Sequence, residues 1–268
     1  CWTTSIIYSD LDYDELTFRK LFSPEECIPA VLNQGTYDGK LDITKEFNAW
    51  QSGGRIIEFD DRHVLLTVGD YRARFLAQKN DSLYGKILKI NINTAKSELI
   101  SKGHRNPQGL LLDKNNNFIL STEHGPKGGD EINLIEFSEK NLPNYGWPIA
   151  SYGEHYDQQM VQGGTLDDYP LLKSHEENGF IEPLKYFVPS IGISEIISLN
   201  RDKRYIVSSM RDKSLYFFNL DNNNKIELIE RVEIGERIRD LLYYNNQVFM
   251  FLENTVSIGI ISLSKKLN

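Results

Sequence analysis

A chain of 268 residues, 40% hydrophobic and 25% charged, is long enough for one large all-β domain or two average ones, with ample core. Its net charge of −8 comes from acids and bases interspersed along the sequence. That excludes the basic footprint of a nucleic-acid-binding surface and a polybasic membrane patch. No apolar run approaches the roughly 20 residues of a membrane-spanning helix, so no span is expected.

The first residues, Cys1-Trp2-Thr3-Thr4, have neither the basic start nor the apolar core of a signal peptide, and strand-like sequence begins at once. The chain is therefore expected to be a processed or truncated piece of something longer. Segments 5–9 and 15–22 read as a hairpin across the acidic turn Asp10–Asp14. That hairpin would bring Cys1 beside the stretch after Phe22, close to Cys27. The two cysteines are then either a disulfide, which fits an oxidising compartment and a periplasmic or secreted protein, or two unpaired thiols.

Residues 27–53 are polar and irregular and predict a long loop. Segments 54–59 and 64–68 form a second predicted hairpin across Asp60-Asp61-Arg62, and 86–91 alternates with period two as a half-buried strand should. Segments 108–112 and 117–122 turn on Lys114-Asn115-Asn116, and 132–137 follows. Residues 138–183 are turn-rich and polar, unusual for a connection without function. Strands are expected again at 184–187, 193–199, 205–209, 214–220, 226–232, 237–243, 248–252 and 256–262. No segment has a useful helical period. Short strands paired across Asp, Asn, Gly and Lys turns, in groups of about four, predict propeller blades rather than a sandwich or barrel; about seventeen strands make roughly four blades.

Chemistry-bearing residues concentrate between Gly103 and Trp147. Gly103-His104-Arg105-Asn106-Pro107-Gln108-Gly109-Leu110, Glu123-His124-Gly125-Pro126-Lys127-Gly128-Gly129-Asp130-Glu131-Ile132-Asn133 and Asn144-Tyr145-Gly146-Trp147-Pro148 place polar and turn-forming residues at strand ends, where a β scaffold displays functional groups. These blocks, in this order, resemble the soluble quinoprotein glucose/sorbosone/aldose dehydrogenases. The resemblance implies an all-β, six-bladed β-propeller around a channel, with only about four to five blades in this chain. The whole of 1–268 would be a single propeller domain lacking its N-terminal blade or blades. An open arc leaves unpaired strand edges, so an incomplete ring is expected: a fragment, or a propeller completed by something outside this chain.

The resemblance also implies a site. Arg105 and Asn106 would touch pyrroloquinoline quinone (PQQ), a planar tricarboxylate that suits a guanidinium fork. Gly125 and Pro126 would offer main-chain carbonyls to the calcium that also holds the cofactor, as hard oxygen ligands should. Glu131 and the Tyr145 carbonyl would belong to a nearby calcium site, with Asp130 as an adjacent candidate. Arg211 is expected over the cofactor, with Lys213 beside it. Glu154 and His155 are candidate ligands with a solvent-facing loop role as the alternative, and Trp147 is read as packing. Phe75 or Gln78 would fall where a cofactor-touching glutamine sits. The charges of 235–240 are read as structural, His104 and His124 as ordering their turns, and His63 as part of a hairpin turn.

One position departs from the pattern. In Gln51-Ser52-Gly53-Gly54-Arg55 the family has a histidine where this chain has Gln51, and that histidine is the general base on the sugar hydroxyl. An amide has no useful basicity. Asp70, in Gly69-Asp70-Tyr71-Arg72, is expected to line the same pocket. Gln51, Asp70 and Arg105 are therefore the candidate catalytic set, with Asp70 or a bound water replacing the base. Two functions stay open. One is a PQQ- and calcium-dependent oxidoreductase, passing hydride from a sugar or alcohol to the quinone and on to an external electron acceptor. The other is a degenerate calcium-binding propeller that holds a ligand or partner protein. No phosphate-cradling glycine loop, zinc spacing or serine elbow offers a third.

Overall fold

The structure, a computed structural model, describes residues 1–28, 50–137, 141–156, 166–199 and 203–263. Most of the predicted 27–53 loop lies outside the described residues. A small N-terminal sheet pairs β1 (Ile6–Tyr8) with β2 (Arg19–Phe22). Three four-stranded antiparallel sheets follow. The first is β3 (Gly53–Asp60), β4 (His63–Val68), β5 (Lys86–Asn91) and β6 (Ser97–Lys102). The second is β7 (Pro107–Asp113), β8 (Phe118–Glu123), β9 (Asp130–Glu136) and β10 (Lys185–Phe187). The third is β11 (Ile193–Ser198), β12 (Arg204–Ser209), β13 (Ser214–Leu220) and β14 (Ile226–Glu233). A fourth, three-stranded sheet holds β15 (Ile238–Tyr244), β16 (Gln247–Leu252) and β17 (Ser257–Ser262).

Each sheet is a meander in sequence order, and the first strands pack in succession: β3 on β7, β7 on β11, β11 on β15. That is the arrangement of propeller blades around an axis, and the all-β propeller expectation holds. Strand alternation explains why the sheets stack. In β4 and β5, Leu65 and Ile87 face the second blade and pack with Leu110, Ile119 and Tyr145. Leu66 and Leu88 face the other way and pack with Ile6, Phe22 and Ile28 of the N-terminal segment. In β12 the split repeats: Tyr205 and Val207 pack with Phe118 and Leu120, while Ile206 packs with Ile238 and Leu241. A strand buried on both faces carries apolar residues on both, and each fully buried Leu or Ile contributes about 1.5–3 kcal/mol.

The turns are set by short polar side chains. Asp60 Oδ1 accepts the Arg62 N–H at 2.8 Å and contacts His63 Nδ1 at 2.8 Å, closing β3–β4. Asp113 Oδ1 accepts the Asn116 N–H at 3.0 Å before Asn117 turns at φ 59°. Asn245 and Asn246, at φ 48° and 61°, make the β15–β16 turn; two successive positive φ values match the twist of a two-residue hairpin.

Three expectations are adjusted. Strand β2 begins at Arg19 rather than at 15. Strand β6, Ser-Glu-Leu-Ile-Ser-Lys, has no sequence counterpart, because as a blade's outermost strand it is largely polar. The cysteines are paired: Cys1 and Cys27 form a disulfide with Cα atoms 5.5 Å apart, alongside the reciprocal Trp2–Ile28 backbone bonds of 2.8 and 2.9 Å. On the fourth sheet Leu242, Ile258 and Ile260 are more than half exposed, an apolar face with no covering sheet among the described residues.

Candidate functional site

The segments before β3, after β4 and β6, and between β8 and β9 bring the candidate residues together. Gln51 stands just before β3 at φ 63°, and its carbonyl accepts the Tyr71 N–H at 3.1 Å. A Cβ on Gly69 would lie 1.9 Å from that carbonyl, so Gly69 is required for the two loops to meet. Asp70 follows, fully buried. Its Oδ1 accepts the Arg72 N–H at 2.8 Å and the Gln51 amide at 2.6 Å, and its Oδ2 accepts the Trp147 indole N–H at 2.8 Å. The Gln51 amide oxygen in turn accepts Arg105 Nη2 at 2.8 Å. Gln51 is thus a neutral bridge between a buried carboxylate and a guanidinium. Burial pushes the Asp70 carboxyl above the usual range, and the Arg105 charge pulls it back.

Arg105 is held on its other sides as well. Its backbone N–H donates to Glu123, Nη1 donates to the His124 carbonyl at 3.0 Å, and the guanidinium lies 5.4 Å from the Trp147 ring centroid. Arg105 Nε is buried with no partner, and Arg105 lines a small cavity together with Glu123, Gly125, Glu131, Tyr145 and Trp147. Asn106 Oδ1 accepts from the Gly53 N–H at 3.2 Å and from Gln108 Nε2 at 3.0 Å. His124 Nε2 lies 2.5 Å from the Ile193 carbonyl and must donate to it, so Nδ1 is the acceptor that faces Asn106 Nδ2 at 3.4 Å. Burial lowers the His124 pKa, which keeps the ring neutral.

The Gly125-Pro126 turn sits over this cavity. A Cβ on Gly129, at φ 70°, would be 2.3 Å from the Gly153 nitrogen, so glycine there lets the 151–154 segment approach. Among the described residues no side chain or backbone N–H is bonded to the Gly125 or Pro126 carbonyls. Glu131 is buried beside Glu123, and burial together with that second carboxylate pushes its pKa well above the ordinary range. His175 Nε2 is 3.6 Å from Glu131 Oε1, and Asn133 Nδ2 donates to Oε2 at 3.3 Å. Two buried carboxylates around one cavity call for a proton or a cation. No three His, Cys, Asp or Glu side chains among the described residues converge as a metal cluster, so a cation here would draw on carbonyls and water, as calcium does.

The remaining predicted residues fall into two groups. Asp130 is a clamp: Oδ1 accepts Gly125 N–H at 3.2 Å, and Oδ2 accepts Gly192 N–H at 2.7 Å and Ile193 N–H at 3.0 Å. Tyr145 is buried, its hydroxyl donating to the Leu134 carbonyl at 2.6 Å. Arg211 is exposed on the turn beside Gly192, and Lys213 is exposed two residues on. Phe75 packs into the core of the first blade, and the Gln78 amide is committed to Asn144 and the Trp147 carbonyl, at 2.7 Å for the latter, so neither faces the pocket. His155 is an internal clamp rather than a solvent-facing loop residue: Nε2 donates to the Tyr169 carbonyl at 2.8 Å and Nδ1 meets Arg74 at 3.1 Å. Asp70 does not line the pocket as expected. It lies behind Gln51, completely covered.

Sequence reasoning missed two features. Trp147 is more than packing, because its indole holds Asp70 across 77 residues of sequence. Arg239, half-exposed and paired with Glu253 at 2.9 Å, is close enough for its charge to lower the His124 pKa. A second guanidinium therefore looks toward the Arg105 side of the molecule.

Comparison with known proteins identifies the family and the fold. The sequence model of the Glucose / Sorbosone dehydrogenase family matches residues 41–260. Among curated relatives, the aldose sugar dehydrogenase YliI of Escherichia coli (strain K12) is 29% identical, over 70% of this chain and 53% of that protein. Quinoprotein glucose dehydrogenase B of Acinetobacter calcoaceticus is 32% identical, over 63% of this chain and 47% of that protein. A crystal structure of a glucose dehydrogenase superposes with a TM-score of 0.71 at 25% identity, covering 96% of this chain and 72% of that one. The chain spans about half the length of the curated relatives it matches. With the family match running over most of its length, the chain belongs to the glucose/sorbosone dehydrogenase family.

Proposed function

We propose that this chain carries the cofactor pocket of a PQQ- and calcium-dependent sugar dehydrogenase, oxidising a sugar or another alcohol and passing the electrons to an external acceptor. The observation that carries the reading is the Arg105 guanidinium, pinned on three sides with its buried Nε unpartnered, on the wall of a cavity that Gly125 and Glu131 also line. Such a group suits the carboxylates of PQQ, with Asn106 beside it and Arg239 and Arg211 as further cations. The Gly125 and Pro126 carbonyls fit a calcium ion that holds the cofactor. Glu131 and the Tyr145 carbonyl, with Asp130 ordering the turn, fit a second. Bound here, PQQ would supply a hydride acceptor and calcium a Lewis acid. The chain's own residues bind and orient: Arg105 meets negative charge, Trp147 and Asp70 fix the pocket wall, and Gln51 can hydrogen-bond a hydroxyl. The Cys1–Cys27 disulfide supports a periplasmic or secreted location.

One observation favours a second reading, a calcium-stabilised propeller that binds a ligand without turning it over. Gln51 stands where the resemblance places a base, and its amide is already engaged by Asp70 and Arg105. Titration with PQQ, with and without calcium, tests the first reading by absorbance and melting temperature. Calcium-dependent binding that Arg105→Ala weakens at least about 10-fold and Glu131→Ala makes less calcium-sensitive is expected. No binding by the folded chain would leave the second reading.

A further inference from the structure

Arg55 leaves β3, the innermost strand of the first blade, and each of its side-chain nitrogens meets a different blade. Nε donates to the Gln108 carbonyl on β7 at 3.1 Å. Nη1 donates to Asp240 Oδ2 on β15 at 3.0 Å, and Nη2 lies 2.6 Å from Glu195 Oε2 on β11. The two carboxyl groups are themselves fixed: Glu195 Oε1 accepts the Ile196 N–H and Asp240 Oδ1 the Leu241 N–H, each at 2.8 Å. A planar guanidinium spreads its donors over three nitrogens and so reaches acceptors on three separate strands, farther apart than the single nitrogen of a lysine can span. All four innermost strands are therefore fastened at one side chain.

Two short routes lead from this junction to the pocket. Gln108 Nε2 donates to Asn106 Oδ1 at 3.0 Å, the oxygen that also takes the Gly53 N–H at 3.2 Å, two residues from Gln51. On the other side Asp240 adjoins Arg239, whose carbonyl accepts the hydroxyl of Ser194, the neighbour of Glu195, at 2.5 Å. We propose that Arg55 is a positioning residue: by joining the four inner strands at the axis it holds Asn106 and Arg239 where a carboxylated ligand meets them. The inference rests on reading the pocket as a PQQ site.

Arg55→Lys keeps the charge and the stem but loses the fork. In the full chain with calcium, R55K is expected to bind PQQ about 10-fold more weakly while keeping the wild-type circular dichroism. A double-mutant cycle with Asn106→Ala reads the route: N106A should cost less affinity in R55K than in wild type. Strictly additive losses, or an unchanged affinity of R55K, would overturn the proposal. A ligand-free arm separates it from the cofactor reading. Amide exchange at Gly53 should speed up in R55K while Leu120, inside the second blade, stays protected. If Gly53 opens but wild type binds no PQQ, the cofactor reading falls and the positioning role stands. Unchanged exchange at Gly53 overturns the positioning role whatever the affinity does.

Discussion

The indole of Trp147 donates to Asp70 Oδ2 at 2.8 Å and, with the bonds of the Gln78 amide to Asn144 and to the Trp147 carbonyl, fastens the segment after β9 to the loop leaving β4. Asp70 is fully buried, so each donor to its carboxylate replaces lost water. Trp147 also lies between Arg74 and Arg105, at 5.1 and 5.4 Å from its ring centroid.

Trp147→Phe keeps an aromatic ring and removes the donor. Leaving a buried carboxylate oxygen unsatisfied costs about 1–3 kcal/mol. The urea midpoint of W147F should fall by that free energy divided by the m-value, with the m-value itself unchanged. An unshifted midpoint would mean that the indole bond contributes nothing to the fold.

The Cys1–Cys27 disulfide closes a loop of 26 residues in sequence separation and fixes the N-terminal sheet against Leu66 and Leu88. Loop-closure entropy for that length corresponds to about 3 kcal/mol. Reduction should lower the melting temperature and raise amide exchange at Ile6 and Phe22 before it does so in β8. Simultaneous loss of protection in both places would show that the N-terminal sheet is not a separable unit.

Much of this architecture is legible in the sequence. The run Lys86–Asn91 marks a strand, although the fold buries it on both faces rather than on one as its alternation suggests, and Asp60, Asp113 and Asn245-Asn246 mark turns by their own chemistry. The blocks around Arg105 and Gly125 mark the site because family motifs are local. What the sequence hides is long-range. The Arg55–Asp240 bond joins residues 185 positions apart, and nothing in either neighbourhood announces the other. Strand β6 is hidden for a different reason: Ser97–Lys102 pairs through its backbone, and only Leu99 and Ile100 give it apolar side chains, too few for a recognisable pattern. The departure at Gln51 is visible in sequence, but its bridging role depends on where Asp70 and Arg105 arrive in space.

Glu195 gives a pH dependence with a definite sign. Burial pushes its carboxyl up to about 8, against the pull of Arg55 and with the repulsion of Asp240. The folded state then keeps this proton until about pH 8, while the unfolded chain loses it above about 4.5. The unfolded state binds fewer protons in that window, so stability declines as pH rises from 4.5 to 8. Glu195→Gln should flatten that decline, visible in melting temperatures taken from pH 5 to 8. Parallel curves for the two proteins would show that Glu195 is ionised in the fold throughout.

In the proposed function the Arg105 pocket holds PQQ while Gln51, bridging Asp70 and Arg105, leaves it without a base. The direct measurement loads wild type and Gln51→His with PQQ and calcium and follows bleaching of the bound quinone on mixing with an aldose. Wild type is predicted to bind but reduce the quinone slowly, and Q51H to reduce it about 10²-fold faster, the usual worth of a general base. Equal rates in two proteins that both bind the quinone would contradict the account.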